Sequence, residues 1–77
     1  MSRAYLCIDA DYLDNAKCYR SVSAACAAYL DTARELDRYG QRCEAAIHLA
    51  SNRAELAEYP DFVLSLGPRG GLRKERA

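Results

Sequence analysis

Three aspartates follow the first strand-like run of this chain, and they come nearest to a catalytic pattern. Asp9, Asp11 and Asp14 lie within Ile8-Asp9-Ala10-Asp11-Tyr12-Leu13-Asp14-Asn15. Carboxylates at the C-terminal edge of a strand suit Mg²⁺, a hard cation that takes oxygen ligands. A two-metal phosphodiesterase needs further ligands to hold both ions. Leu49 is followed by Ala50-Ser51-Asn52 and Leu66 by Gly67-Pro68, with no acid in either place. The preferred reading is a solvated acidic turn that holds no metal. Metal-dependent phosphodiester hydrolysis is the lesser alternative.

Other chemistry-bearing residues are scattered. Ser65-Leu66-Gly67-Pro68-Arg69-Gly70-Gly71 offers backbone amides to an anion, but no Gly-Lys-Ser/Thr motif and no helix follows it. His48 is the only histidine, placed on the outer face of a strand with no sequence neighbour to make it a base. The cysteines are Cys7, Cys18, Cys26 and Cys43, and no two have zinc-knuckle spacing. Cys7, Cys26 and Cys43 fall inside periodic apolar segments and read as small core hydrophobes. Cys18 lies outside them and is the thiol expected to be reactive. The expectation is therefore no catalytic residue, no metal, no cofactor and no disulfide.

Leu6-Cys7-Ile8-Asp9-Ala10-Asp11-Tyr12-Leu13 resembles the opening of PIN/NYN-type nucleases. That resemblance implies a metal-binding role for Asp9. It covers residues 6–13 alone, in a chain far shorter than that family's domain.

The elements that must position these residues are few. With 77 residues the chain is one domain, near the lower limit for a self-sufficient core. Arg3 to Asp9 reads as a central strand, and Lys17 to Arg20 as a short returning strand. Ser21 to Tyr39 is the clearest element: Val22, Cys26, Tyr29, Ala33 and Leu36 draw one helical stripe, and Gly40 suits a left-handed helix end. Cys43 to Ala50 alternates as a strand, Arg53 to Tyr59 reads as a short helix stopped by Pro60, and Asp61 to Leu66 as the last strand. The fold class is α+β, a three- to four-stranded, mostly antiparallel sheet covered on one face by one long helix. The expected core is Leu6, Ile8, Val22, Cys26, Tyr29, Leu36, Ile47, Leu49, Leu56, Phe62 and Leu64. Residues 1–66 form the domain and 67–77 a flexible basic tail that folding does not need.

Eleven basic and eleven acidic residues cancel, but unevenly. The tail carries Arg69, Arg73, Lys74 and Arg76 against Glu75 alone, while the acids Asp9, Asp11 and Asp14 lie near the other end. Six tyrosines with one Phe and no Trp favour half-wet contact positions. Size, compactness and charge segregation together resemble small phage and prophage accessory proteins, including those of the anti-CRISPR type. No motif carries that resemblance, so it assigns no residues. It implies a non-enzymatic inhibitor or adaptor that binds a host protein or complex and occludes its surface. The contacts expected from the residues are Asp9, Asp11, Tyr12, Asp14 and Tyr19 around the acidic turn, with Arg69, Arg73, Lys74 and Arg76. The alternative is a small nucleic-acid-binding module using the basic tail. A homodimer would enlarge so small a core. No apolar run approaches the ~20 residues that span a bilayer, and no leader pattern is evident, so the expected compartment is the cytoplasm.

Overall fold

A computed structural model describes residues 2–9 and 13–77. Five strands and one α-helix make up the fold: β1 (Arg3–Ile8), β2 (Lys17–Tyr19), α1 (Val22–Asp37), β3 (Ala45–Ala50), β4 (Phe62–Leu66) and β5 (Leu72–Arg76). Single 3₁₀ turns lie at Leu13–Asn15 and Arg53–Glu55. The sheet order is β2-β1-β3-β4-β5 and every pairing is antiparallel. The class is thus α+β, with five strands where the sequence suggested three to four.

The central pair is β1 with β3, joined over six residues from Arg3↔Ala50 to Ile8↔Ala45. Asp9 extends it beyond the ladder. Its amide donates to the Glu44 carbonyl at 2.6 Å, and its Oδ1 accepts from the Glu44 amide at 3.0 Å. Asp9 holds φ at 55°, a left-handed conformation that Asp tolerates through local hydrogen bonding.

α1 covers one face. Ser21, extended at φ −151°, accepts from the Ala24 amide and caps the helix start. At the other end Gly40, at φ 73°, closes a Schellman motif: Gln41 N–H reaches the Leu36 carbonyl and Gly40 N–H the Asp37 carbonyl. The expected stripe is the buried one. Cys26, Tyr29 and Ala33, with Ala25, pack on Ala4, Leu6, Ala45, Ile47 and Leu64, and Val22 and Leu36 are half-buried against them. Tyr29 donates its hydroxyl to the Cys43 carbonyl at 2.7 Å, so this fully buried phenol is satisfied.

The second face is also closed over β1 and its neighbours. Tyr5, Cys7, Ala16 and Ala50 form a smaller cluster with Leu13 and Leu56. Arg53 holds this cover down. Its guanidinium donates to the carbonyls of Leu13 and Asp14, each at 3.3 Å, and of Ala16 at 2.7 Å. It also stacks 5.3 Å from the Tyr5 ring centroid, a cation–π contact. His48, expected at the surface, is only 5% exposed, because its register partner is Tyr5 beneath this cover.

Three further expectations need correction. The helix over 53–59 is one 3₁₀ turn: Leu56 is extended at ψ 125° and buries its side chain in the second cluster, and Pro60 disfavours helix at Tyr59. Leu49 is not core; it is 38% exposed. The basic segment expected to be a flexible tail pairs along β4 from Leu66↔Leu72 to Phe62↔Arg76. Its glycine-rich start is the hairpin turn: Gly67 N–H bonds the Gly71 carbonyl at 2.7 Å, and Gly70 takes φ 81°.

Two outcomes test this packing. Leu64 is fully buried in the core, so Leu64→Ala should cost ~2–5 kcal/mol in urea denaturation, enough to threaten the fold. Burial, with Cys43, Glu44 and Asp9 adding to it, pushes the Tyr29 hydroxyl up from 10.0 to about 12. A raised acid holds its proton longer when folded, so its stabilising contribution is full below pH 10.0 and fades as pH rises to about 12. Tyr29→Phe should remove that alkaline loss and, by leaving the Cys43 carbonyl without its donor, cost ~1–3 kcal/mol at neutral pH.

Candidate binding surface

The surface that gathers the most contact-forming chemistry is the corner where the β3–β4 connection meets the end of β5. Register partners share a face of a sheet. Lys74 opposite Leu64 and Arg76 opposite Phe62 therefore lie on the α1 side. Lys74 Nζ sits 5.3 Å from the centroid of the Phe62 ring. Arg76 lines a shallow groove of about 250 Å³ with Leu49, Pro60, Asp61, Phe62 and Ala77. Tyr59, 79% exposed, immediately precedes Pro60 in this connection. Apolar side chains thus share this corner with the Asp61 carboxylate and the Arg76 cation, Lys74 lies against the Phe62 ring, and Tyr59 stands exposed one residue before the groove.

The corner is fixed by backbone bonds. Asp61 donates its amide to the Ile47 carbonyl at 2.8 Å, and its Oδ2 accepts from the Leu49 amide at 2.7 Å. The Ala77 amide donates to the Asp61 carbonyl at 3.2 Å, which ties the end of β5 to the same residue.

The other expected site residues do not converge there. Arg73 lies on the opposite face and pairs with Glu75 at 3.2 Å. Arg69 is exposed in the hairpin turn, beside carbonyls of Leu66 and Gly67 that accept from Arg42. At the other side of the molecule, Asp9 is engaged by the Glu44 amide, and Asp14 is exposed in the first 3₁₀ turn. Tyr19 is half-buried on β2. Asp11 and Tyr12 lie outside the described residues. Among the described residues no three His, Cys, Asp or Glu side chains come close enough to hold a metal ion. No helix among them is long and apolar enough to cross a membrane.

A row of reactive types does cross the second face. Cys18, Tyr5 and His48 are consecutive register partners on β2, β1 and β3. Tyr5 and Cys18 share a side-chain hydrogen bond; burial first, and Cys18 second, push the Tyr5 hydroxyl up. His48 Nδ1 is buried without a hydrogen-bond partner among the described residues. Two strand spacings of ~4.8 Å separate Cys18 from His48, with Tyr5 between, so the row makes no Cys–His couple.

Residue types alone did not single out Leu49, Tyr59, Pro60 and Phe62. The available signal was Tyr59-Pro60, where the proline denies its neighbour a helix and leaves a large ring at a turn. The thiols behave as their patterns implied. Cys7, Cys26 and Cys43 are buried and Cys18 is exposed. Burial pushes the Cys26 and Cys43 thiols up, which keeps them protonated and inert. Thiol labelling of the native protein should modify Cys18 at once and the other three only as fast as the protein unfolds; rapid loss of all four would mean the core is open.

No family model matches this chain, and neither a curated protein nor a solved structure shows significant similarity to it.

Proposed function

We propose that this chain is a non-catalytic inhibitor or adaptor that acts by covering the surface of another protein, the activity expected of a small accessory protein. The observation that carries the reading is the corner of Leu49, Phe62, Lys74 and Arg76, with Tyr59 exposed beside Pro60. Aromatic and arginine side chains dominate contact energetics, provided that an apolar centre is rimmed by polar groups. Two of the large hydrophobics exposed on this chain, Leu49 and Tyr59, belong to it. Lys74 and Arg76 direct it toward an acidic partner surface, whose approach they would steer. Asp14, exposed in the first 3₁₀ turn, lies outside this corner and serves as the control position.

The nucleic-acid reading is supported by one feature of the same corner: cations flanking an aromatic ring, an arrangement that suits a stacked base beside its phosphates. Salt separates the two. Phosphate contacts release counterions, so each lost contact lowers the logarithmic salt slope by about one.

The test is capture with the tagged full chain, run beside a Tyr59→Ala/Arg76→Glu variant and an Asp14→Lys variant. All three should keep the same circular dichroism, since each altered side chain is exposed. A protein partner should be recovered by the wild type and by Asp14→Lys, and lost by at least tenfold with Tyr59→Ala/Arg76→Glu, for loss of two hot-spot side chains. Equal recovery by Tyr59→Ala/Arg76→Glu would remove the corner from the account. Tight binding of labelled single-stranded oligonucleotides, with a steep salt slope that Arg76→Glu reduces, would replace the protein partner by a nucleic acid.

A further inference from the structure

Among the described residues the sheet ends in two edge strands, β2 and β5, that pair on one side only. An edge strand presents unpaired N–H and C=O groups that another strand can take. Two copies of one chain pair edge to edge about a two-fold axis, and the pleat then requires opposed residues to share a face. A symmetric antiparallel pair is therefore centred on a residue, which meets its own copy.

β5 is badly suited to this. Its sequence is Leu72-Arg73-Lys74-Glu75-Arg76. Every centre that pairs three or more of these residues sets like charges opposite one another: Arg73 on Arg73, Lys74 on Lys74, or Glu75 on Glu75. Like charges directly opposed are destabilising. β2 is Lys17-Cys18-Tyr19. Centred on Cys18, it pairs all three residues without a clash. Each Lys17 faces the Tyr19 of the second copy, where its stem can lie on the ring and its ammonium can meet the π face.

A second observation lies beside this edge. A half-enclosed cavity of about 100 Å³ opens between β2 and α1, lined by Leu6, Ile8, Lys17, Tyr19, Ala28 and Thr32. Its helix wall, Ala28 and Thr32, is low enough for another strand to come close. Asp31 and Glu35 flank Thr32 on α1, while Lys17 and Arg20 carry positive charge at the strand. A two-fold contact brings this surface of mixed sign against itself, cations toward acids in both directions.

We infer that two copies of this chain associate through an antiparallel, two-fold symmetric pairing of their β2 strands centred on Cys18. The sheets run on into one another, the partner strand covers the cavity beside Tyr19, and the two β5 corners lie at the far ends. The pairing does not depend on the function proposed above, and it would present that corner twice, which raises avidity for a repetitive or dimeric target. Cys18 supplies a reporter. Directly opposed residues of an antiparallel pair have Cα atoms ~4.5–5.5 Å apart, inside the ~4.4–6.8 Å that a disulfide spans.

Sedimentation of the full chain in reductant should show a monomer becoming a dimer as concentration rises. Cys18→Arg, which opposes two arginines at an exposed position, should stay monomeric with unchanged circular dichroism. Register is read by oxidation with diamide, in which two thiols give up two electrons and two protons to form the disulfide and reduce the diazene to a hydrazine. In a Cys18→Ser background, Lys17→Cys chains mixed with Tyr19→Cys chains should cross-link at least tenfold faster than either alone. A wild type that is monomeric up to its solubility limit would overturn the inference. A dimer that survives Cys18→Arg would do the same, as would Lys17→Cys chains that cross-link alone as readily as the mixture. Should Cys18→Arg fail to fold, the cross-linking pattern decides.

Discussion

The constraint behind this structure is that its central strand pair is buried on both faces, while the described residues supply a single α-helix. β1 presents four consecutive buried residues, Ala4 to Cys7. The sheet must therefore be covered twice, as in layered folds with helices on both sides. α1 supplies the first cover through a conventional stripe. The second is assembled from two single turns of 3₁₀ helix, and Arg53 binds them together through three carbonyls and the Tyr5 ring. A lysine could not do this, because only the planar guanidinium combines several directed donors with a stacking face.

That economy shapes the surface. The 51–61 connection cannot be a free loop, since its first half supplies the second cover. Its second half is pulled across the end of β3 by Asp61, which takes the Leu49 amide and so leaves the Leu49 side chain half-open beside Tyr59 and Pro60. β5 then adds Lys74 and Arg76 to the same side. The candidate contact surface is a consequence of closing a small fold.

Much of this was legible in the residues. The 3.6-residue stripe of α1 and its Gly40 stop are local signals, and they specified the helix nearly to its ends. Alternation placed β1, β3 and β4. β5 was not legible, because Arg73-Lys74-Glu75-Arg76 has no apolar alternation; an edge strand buries little and is protected by charge, so its sequence resembles a solvated tail. His48 and Leu49 exchanged their expected environments for a related reason. Alternation says that the two residues face opposite ways, but not that Arg53, forty residues from Leu13, would close the outer face over Tyr5. The acidic turn looked more informative than it is, since Asp9 spends its carboxylate on the Glu44 amide at the end of the central ladder.

Native-state hydrogen exchange resolved by residue tests the five-stranded, doubly covered sheet most directly. The slowest amides should be those of β1 and β3, exchanging only through global unfolding. The amides of 72–76 that face β4 should be protected well above those of the 67–71 turn. Exchange of 72–76 at the rate of an unstructured peptide would contradict the account, because it would detach Lys74 and Arg76 from the corner and return them to a free tail.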